Sequence, residues 1–284
     1  MAATSGWAAT HRPVKGSTVL DWLYTVISWV LARWHTLFST VLDPDSGAAW
    51  ALAIVLLVVT VRSLLLPLVL KQVTSQRAVA QLQPEVQALR EQHGDDRQAF
   101  SQAVMALHQE RGVNPLAGCL PALLQIPVFI ALLHVLRRLA PGADGLYSWS
   151  YELTQQAANA TFAGAPISSA FRMAGPLRTT VLEQTGAAET RIQLVAVVLV
   201  LAMTATSFLT QKMTQRRAGP AQGQAATVQK VLLYGIPGSL LVTGFFFPVG
   251  VLLYWTANNL WTLGQQFLLL RRLPPNTPAL TLPL

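Results

Sequence analysis

Charge is scarce in this chain. Only 11% of its 284 residues are Asp, Glu, Lys or Arg, whereas 52% are hydrophobic, and the mean hydropathy is +0.42. Soluble domains carry about 25% charged residues, so the composition excludes an ordinary soluble protein and indicates a membrane protein. The net charge of +8 does not by itself indicate a nucleic-acid partner, because in a membrane protein it first has to be assigned to particular loops.

Cysteine is nearly absent, and the common motifs of catalysis are missing. The single cysteine, Cys119, excludes an intramolecular disulfide and a multi-cysteine metal cage. The five histidines are scattered without metal-ligand spacing, and the sequence has no H-E-x-x-H, G-x-S-x-G or Walker motif. We therefore expect the protein not to be an enzyme and to use no metal and no cofactor.

Five apolar runs are long enough to cross a bilayer, which takes about 20 helical residues. They predict an all-α polytopic membrane protein with transmembrane helices at 48–70, 115–137, 191–211, 229–247 and 248–270. No internal repeat is visible in the sequence. We therefore expect a single bundle of five transmembrane helices and the segments that connect them.

The segment before the first run has a different character. Residues 18–42 contain Asp21, Arg33 and several tryptophans, which is typical of an amphipathic helix that lies in the membrane interface. A sixth transmembrane helix is the alternative. The polar residues 1–17 do not resemble a cleavable signal peptide, so we expect this part of the sequence to be retained.

Two of the intervals between the runs are long, and they differ from each other. Residues 71–114 are polar but periodic, and the break "HGDD" offers Gly94 to end one helix and Asp95 or Asp96 to cap the next. This pattern predicts an antiparallel helical hairpin in water. Residues 138–190 are rich in Ala, Gly, Ser and Thr and predict short helices and loops.

The loop charges predict the orientation of the chain. The hairpin, the linker 212–228 with the adjacent Lys230, and the tail 271–284 together carry eleven basic against five acidic residues. The other side carries eight basic against seven acidic residues. The positive-inside rule therefore places the hairpin and the C-terminus in the cytoplasm and the N-terminus outside.

One arginine lies within the first apolar run. The 13 residues from Ala49 to Val61 would span only about 20 Å, which is too short for a ~30 Å hydrocarbon core. Arg62 therefore lies inside the membrane, and Lys71, about 13 Å further on, marks the interface. An arginine at this depth costs at least ~2.5 kcal/mol, and no Asp or Glu occurs in the five runs to pair with it. We expect it to face a wet cavity, with a structural ion pair as the alternative.

Uncharged polar side chains in the other runs predict the lining of that cavity. In the last run they recur at i, i+4, i+7 and i+11, which places them on one side of a helix. Hydrogen bonding between helices is the alternative, above all for the Thr and Ser positions. The predicted binding site comprises Arg62, Gln125, Thr206, Thr210, Tyr254, Asn258, Asn259, Trp261 and Gln265.

Three stretches carry a family resemblance. They are "WALAIVLLVVTVRSLLLPLVLKQ", the hairpin that runs into "NPLAGCLPALLQIPVF", and "FPVGVLLYWTANNLWTLGQQ". The chain resembles YidC-type insertases of the YidC/Oxa/Alb family over residues 18–272. Its short form, with sixteen arginines against four lysines, resembles members from high-GC Gram-positive bacteria.

This resemblance implies five helices around a hydrophilic groove that is open to the cytoplasm and to lipid, with Arg62 as the groove arginine. It further implies a membrane insertase and chaperone in the bacterial plasma membrane, whose clients are other membrane proteins. The Sec translocon is an implied partner, and the 71–114 hairpin is the implied contact for the ribosome and for signal-recognition targeting factors. No specific nucleic-acid sequence is implied.

Two other functions stay open at this point. A small anion channel or transporter would use Arg62 to bind anions, but it would need a path open to both sides, whereas the intramembrane charge stops at one depth. An assembly chaperone of the secretion channel would use the same fold without inserting any protein itself. Depletion would distinguish an insertase, because its loss leaves small membrane proteins uninserted.

Overall fold

A computed structural model describes residues 18–94, 96–113, 120–218 and 224–272. The expectations for residues 1–17, for Cys119 and for the tail beyond residue 272 lie outside this part of the chain. The described residues are mostly helical, with one short antiparallel ribbon of two strands. The predicted all-α class is therefore confirmed.

The first half of the described chain contains six helices. They are α1 (Thr18–Phe38), α2 (Gly47–Leu64), α3 (Leu66–Gln81), α4 (Gln83–His93), α5 (Arg97–Glu110) and α6 (Leu120–Arg138). The second half of the described chain contains two short strands and six α-helices, which range from 7 to 30 residues in length. They are α7 (Tyr151–Asn159), β1 (Thr161–Phe162), β2 (Ala165–Pro166), α8 (Gly175–Thr185), α9 (Glu189–Ala218), α10 (Gln224–Lys230), α11 (Ile236–Thr243) and α12 (Val249–Arg272).

The helix that carries Arg62 is shorter than the sequence suggested. The apolar run predicted one helix over 48–70, but α2 ends at Leu64 and α3 begins at Leu66 with Pro67 in its first turn. Proline lacks a backbone N–H and is tolerated at the start of a helix but not in its interior. This proline therefore sets the boundary between the two helices, and α3 continues past Lys71 towards the hairpin.

Helices α4 and α5 form the hairpin. Gly94, which directly follows α4, has a φ of 54°, and the Asp96 side chain accepts hydrogen bonds from the backbone N–H groups of Gln98 and Ala99. The Arg111 guanidinium, just beyond the end of α5, donates to Glu85 near the start of α4 at 2.7 Å. The two helices are therefore antiparallel.

Two apolar clusters hold the bundle together. The first packs α1 against α2 and α6 around the fully buried Trp50, Leu31 and Leu132. The second packs α9 against α11 and α12 around Met203 and Leu252. Helix α12 contacts both α2 and α9, so it joins the two clusters.

Three helical stretches are long and apolar enough to cross a membrane, within the described residues: Gly47–Leu64, Glu189–Arg216 and Ala226–Phe246. The third contains a π-helical turn, Val231–Gly235, between α10 and α11, and a 3₁₀ turn, Gly244–Phe246, after α11. This is the finding expected of a membrane protein. The five predicted spans are therefore not all confirmed, since α6 and α12 are not among the three stretches found within the described residues.

The end of the bundle opposite the hairpin is covered by the chain itself. Strand β1 forms a bridge from Thr161 to Ser46 at the start of α2. Residues 165–170 are all buried, and the backbone N–H groups of Val249 and Gly250 donate to the carbonyls of Ser169 and Ile167 at 2.7 and 2.9 Å. The connecting segment is thereby attached to the first turns of α2 and α12.

Candidate functional site

Arg62 is held by helix α12 through uncharged groups. It lies in the last turn of α2, and its Nε donates to the Asn258 Oδ1 at 2.9 Å. Its Nη2 donates to the Thr262 Oγ1 at 3.0 Å. Asn258 and Thr262 are four residues apart and therefore lie on the same side of α12, so one face of that helix provides both partners.

A second polar contact lies one turn before Asn258 on α12. The Gln125 Nε2 of α6 donates to the Tyr254 hydroxyl, and Tyr254 is almost completely buried. The Gln125 Oε1 is buried without a hydrogen-bond partner among the described residues. Gln125, Tyr254, Asn258 and Arg62 therefore link α6, α12 and α2 within one polar region.

Asn259 faces a different neighbour. Its Nδ2 donates to the Ser207 Oγ at 2.7 Å and lies 3.3 Å from both the Thr206 Oγ1 and the Met203 carbonyl. Since Asn259 is 8% exposed, it fills the contact between α12 and α9. In this structure Asn259 and Thr206 join two helices, and no hydrogen bond brings either of them to Arg62.

The remaining predicted site residues lie further along these helices. Trp261 Nε1 donates to the Gln265 Oε1 at 3.2 Å, which ties two positions of α12 together by one helical turn. The Thr210 Oγ1 on α9 is buried and has no hydrogen-bond partner within the described part of the chain. These three residues thus extend the polar character of α9 and α12 towards the hairpin end.

Thr262 is the residue that the predicted site omitted. Its Oγ1 accepts from Arg62 and also donates to the Asn258 carbonyl at 2.9 Å. The available signal was its spacing, because it follows Asn258 by four residues. Threonine is common as an interhelical hydrogen-bonding residue in membranes, so its type alone gave no indication of contact with the arginine.

No carboxylate neutralises Arg62 among the described residues. Arg111 pairs with Glu85 on the hairpin and Arg178 pairs with Glu189 near the start of α9, and both ion pairs lie outside the polar region. The second pair raises the pKa of the Arg178 guanidinium through its hydrogen bond to the carboxylate. The arginine of α2 instead has amide and hydroxyl partners, which carry no charge.

Comparison with known proteins identifies the family. A family model described as "60Kd inner membrane protein" matches residues 41–276. The chain belongs to this family. The match covers α2 to α12, so it includes the hairpin, the Arg62 region and the segment that covers the opposite end, and it confirms the resemblance found in the sequence.

Individual members of the family are similar over most of this chain. The membrane protein insertase YidC of Streptomyces avermitilis is 35% identical over 260 residues, which are 91% of this chain and 60% of that protein. The insertase YidC of Mycobacterium tuberculosis strain H37Rv is 34% identical over 261 residues, 87% of this chain and 71% of its own length. The insertase YidC of Tropheryma whipplei strain Twist is 35% identical over 260 residues, which are 88% of this chain and 82% of that protein.

These comparisons bear on the class of protein. This chain spans 60% of the length of the Streptomyces relative, so the relative has sequence that this chain does not match. The relatives carry the name of an insertase and not that of an enzyme. This agrees with the expectation from the sequence that the chain is not an enzyme.

Proposed function

We propose that this protein is a membrane protein insertase that receives polar segments of client membrane proteins at Arg62 while their apolar segments enter lipid. The observation that carries the proposal is a permanent cation in the last turn of an apolar helix, with only uncharged hydrogen-bond partners in the described structure. An acidic residue of a client would supply the opposite charge that this position lacks. The names of the relatives support the same function.

The proposed membrane arrangement uses five spans: α2, α6, α9, the stretch from α10 to α11, and α12. Helix α1 would lie in the outer interface, and the hairpin and the C-terminus would face the cytoplasm, as the distribution of loop charge indicates. In this arrangement the polar region is reached from the hairpin side. It forms the hydrophilic groove, which is open to the cytoplasm and to lipid.

The groove is proposed to be lined by Arg62, Gln125, Tyr254, Asn258 and Thr262, which the hydrogen bonds bring together. Trp261 and Gln265 would continue it towards the cytoplasm. Burying a polar group without a partner costs a few kcal/mol, and polar side chains within the membrane would reduce that cost for a client tail. Asn259, Thr206 and Thr210 would support the groove from α9.

The driving force needs no nucleotide. Burial of apolar surface contributes about 25 cal/mol per Å², so a client helix that leaves water for lipid supplies a large favourable free energy. The membrane potential adds about 2.3 kcal/mol per charge per 100 mV. The protein's part would be to shorten the distance over which the client's polar segment is without water or a counter-charge.

The hairpin is the proposed contact for incoming complexes. Helices α4 and α5 contain no fully buried residue in the described structure, and Val86, Leu89, Phe100 and Leu107 are half-buried between them. A hairpin packed this loosely can repack against a partner. The Sec translocon, the ribosome and signal-recognition targeting factors are the proposed partners.

The test is replacement of the arginine. We expect Arg62→Ala to reduce insertion of clients with acidic translocated tails by about tenfold or more, which corresponds to about 1.4 kcal/mol. Arg62→Lys should retain part of the activity, because it keeps the charge but loses the guanidinium geometry. Insertion is measured by protease protection of client tails in liposomes that contain the purified protein.

Arg97→Ala on the exposed first turn of α5 is the matched control, since it removes the same charge far from the groove. In liposomes that contain neither ribosome nor translocon, the hairpin has no partner to contact, so this variant should insert these clients as the wild type does. Clients whose translocated tails carry no acidic residue should be affected much less by Arg62→Ala. Normal insertion of every acidic client by Arg62→Ala would refute the electrostatic role.

A further inference from the structure

Two arginines flank the turn between α11 and α12, at the end opposite the hairpin. The Arg172 Cζ lies 5.7 Å from the centroid of the Phe246 ring, and the Arg137 Cζ lies 6.0 Å from the centroid of the Phe247 ring. These distances are at the outer range of cation–π attraction. Because the two rings belong to consecutive residues, both guanidinium groups are held beside one turn.

The turn is a rigid support for these groups. The Arg172 backbone N–H donates to the Phe245 carbonyl at 3.0 Å, and the Val249 N–H donates to the Ser169 carbonyl at 2.7 Å. The Phe247 ring also stacks with Trp255 at 6.3 Å between centroids. The backbone of Arg172 is therefore attached to the turn before anything binds, and Arg137 contacts the turn through the Phe247 ring.

Both cations are available to a ligand. Arg137 and Arg172 are exposed, and neither forms an ion pair with any carboxylate in the described part of the chain. Each guanidinium has five N–H donors in a planar arrangement that suits phosphate oxygens. The patch therefore offers two positive groups and many donors, and no ion pair among the described residues neutralises either group.

The adjacent surface indicates which anion fits. On α11, immediately before the turn, Leu241 and Val242 are 38% and 65% exposed, and Phe246 in the turn is 52% exposed. In the proposed membrane position this apolar strip faces acyl chains. A phospholipid that lies along it would bring its phosphate to the level of Arg172, whereas a peptide has no acyl chain that could lie along the strip.

We propose that Arg137 and Arg172 bind the phosphate of an anionic phospholipid in the leaflet opposite the hairpin, with an acyl chain of that lipid lying along α11. Phosphatidylglycerol is the probe for this class. The inference uses the proposed membrane position of α11 but does not depend on the insertase activity. The experiment measures lipid binding and not insertion, so the lipid site can be disproved while the insertase function stands, and the reverse.

Native mass spectrometry of the full-length protein, released from detergent with added lipid, tests the site. We expect phosphatidylglycerol to bind in preference to phosphatidylcholine, and the double variant Arg137→Gln/Arg172→Gln to bind phosphatidylglycerol about 30-fold more weakly. The double variant with lysines at the same positions should retain most of the binding. Thermal unfolding of each variant in detergent checks that the fold is intact.

The control removes the same charge elsewhere, with Arg90→Gln/Arg97→Gln on α4 and α5, and it should bind phosphatidylglycerol like the wild type. An equal loss in this control would mean that net charge alone attracts the lipid and would overturn the proposal. Unchanged binding in the Arg137/Arg172 variant would overturn it as well. So would displacement of the lipid by inorganic phosphate or by an acidic peptide at equal concentration.

Discussion

At the scale of single residues, the central feature is a cation that has two hydrogen bonds to uncharged groups and no opposite charge beside it among the described residues. Two donors of Arg62 are used by Asn258 and Thr262, which orient the guanidinium against α12. An arginine offers five N–H donors, so under the proposed function a client carboxylate would bind to the remaining donors while these contacts persist. The neutral partners would then hold the guanidinium in place without neutralising its charge.

A change at Asn258 separates orientation from charge. Asn258→Asp would place a carboxylate beside Arg62, and a pair at about 4 Å is worth about 4 kcal/mol at an effective dielectric of 20. We expect this variant to lose insertion of acidic clients almost completely, because its own carboxylate occupies the arginine. Asn258→Ala removes only the orienting contact and should lose less. The liposome insertion assay measures both.

The comparison of these two variants decides between roles for the arginine. If Arg62 acts only by keeping water in the groove, the added carboxylate makes the groove more polar. Asn258→Asp would then insert clients at least as well as Asn258→Ala. That ranking would contradict the electrostatic account. Asn258→Gln serves as the control that keeps an uncharged amide.

The sequence located Arg62 and the polar stripe of α12, because helix length and residue spacing follow from simple geometry. It did not separate Asn258 from Asn259. Neighbouring residues on a helix point about 100° apart, so Asn258 faces Arg62 of α2 while Asn259 faces Ser207 of α9. Which neighbour occupies each direction depends on tertiary packing, which spacing alone does not contain.

At the scale of secondary-structure elements, some helices begin or end where local residues require it, whereas other elements depend on contacts with distant parts of the chain. Pro67 separates α2 from α3, although the helix predicted over 48–70 ran through it, and Asp96 caps α5, as the sequence allowed. The π-helical turn Val231–Gly235 has no such local signal. The ribbon of β1 and β2 is likewise too short for a strand pattern to be recognised.

The first residue of α2 provides a prediction at this scale. A Cβ on Gly47 would lie 2.2 Å from the carbonyl carbon and oxygen of Thr161, so the backbone of β1 would have to move. We expect Gly47→Ala to destabilise the protein by about 1–3 kcal/mol, as overpacking usually does, and to lower its Tm in detergent micelles.

Gly264→Ala in α12 is the matched control, because a Cβ there meets no atom within 4 Å. Alanine is favoured over glycine in a helix by up to about 1 kcal/mol, so this variant should be as stable as the wild type or more stable. If both substitutions shifted Tm alike, the close approach of α2 to β1 would be absent in the folded protein.

At the scale of the whole molecule, the two ends of the bundle differ. The end that carries the hairpin has polar, loosely packed elements, whereas buried residues 165–170 lie across the other end, between the starts of α2, α9 and α12. An anion channel needs a path through both ends. The covered end therefore favours an insertase over a channel.

Electrical recording tests this difference. We expect planar bilayers that contain the purified protein to show no steady anion current above that of bare lipid, because the covered end blocks a continuous aqueous path. Wild-type and Arg62→Ala protein should behave alike in this assay. A steady anion current that disappears in Arg62→Ala would support the channel alternative instead.

The cover over one end also has a mechanical consequence. Backbone hydrogen bonds from residues 249 and 250 and the bridge from Thr161 to Ser46 connect the helices at this end. If the helices rotate apart about this joint, their displacement is smallest at the joint and grows with distance from it. Room for a client would therefore come from helices that splay at the far end, and the lipid-facing side could widen while the joint stays closed.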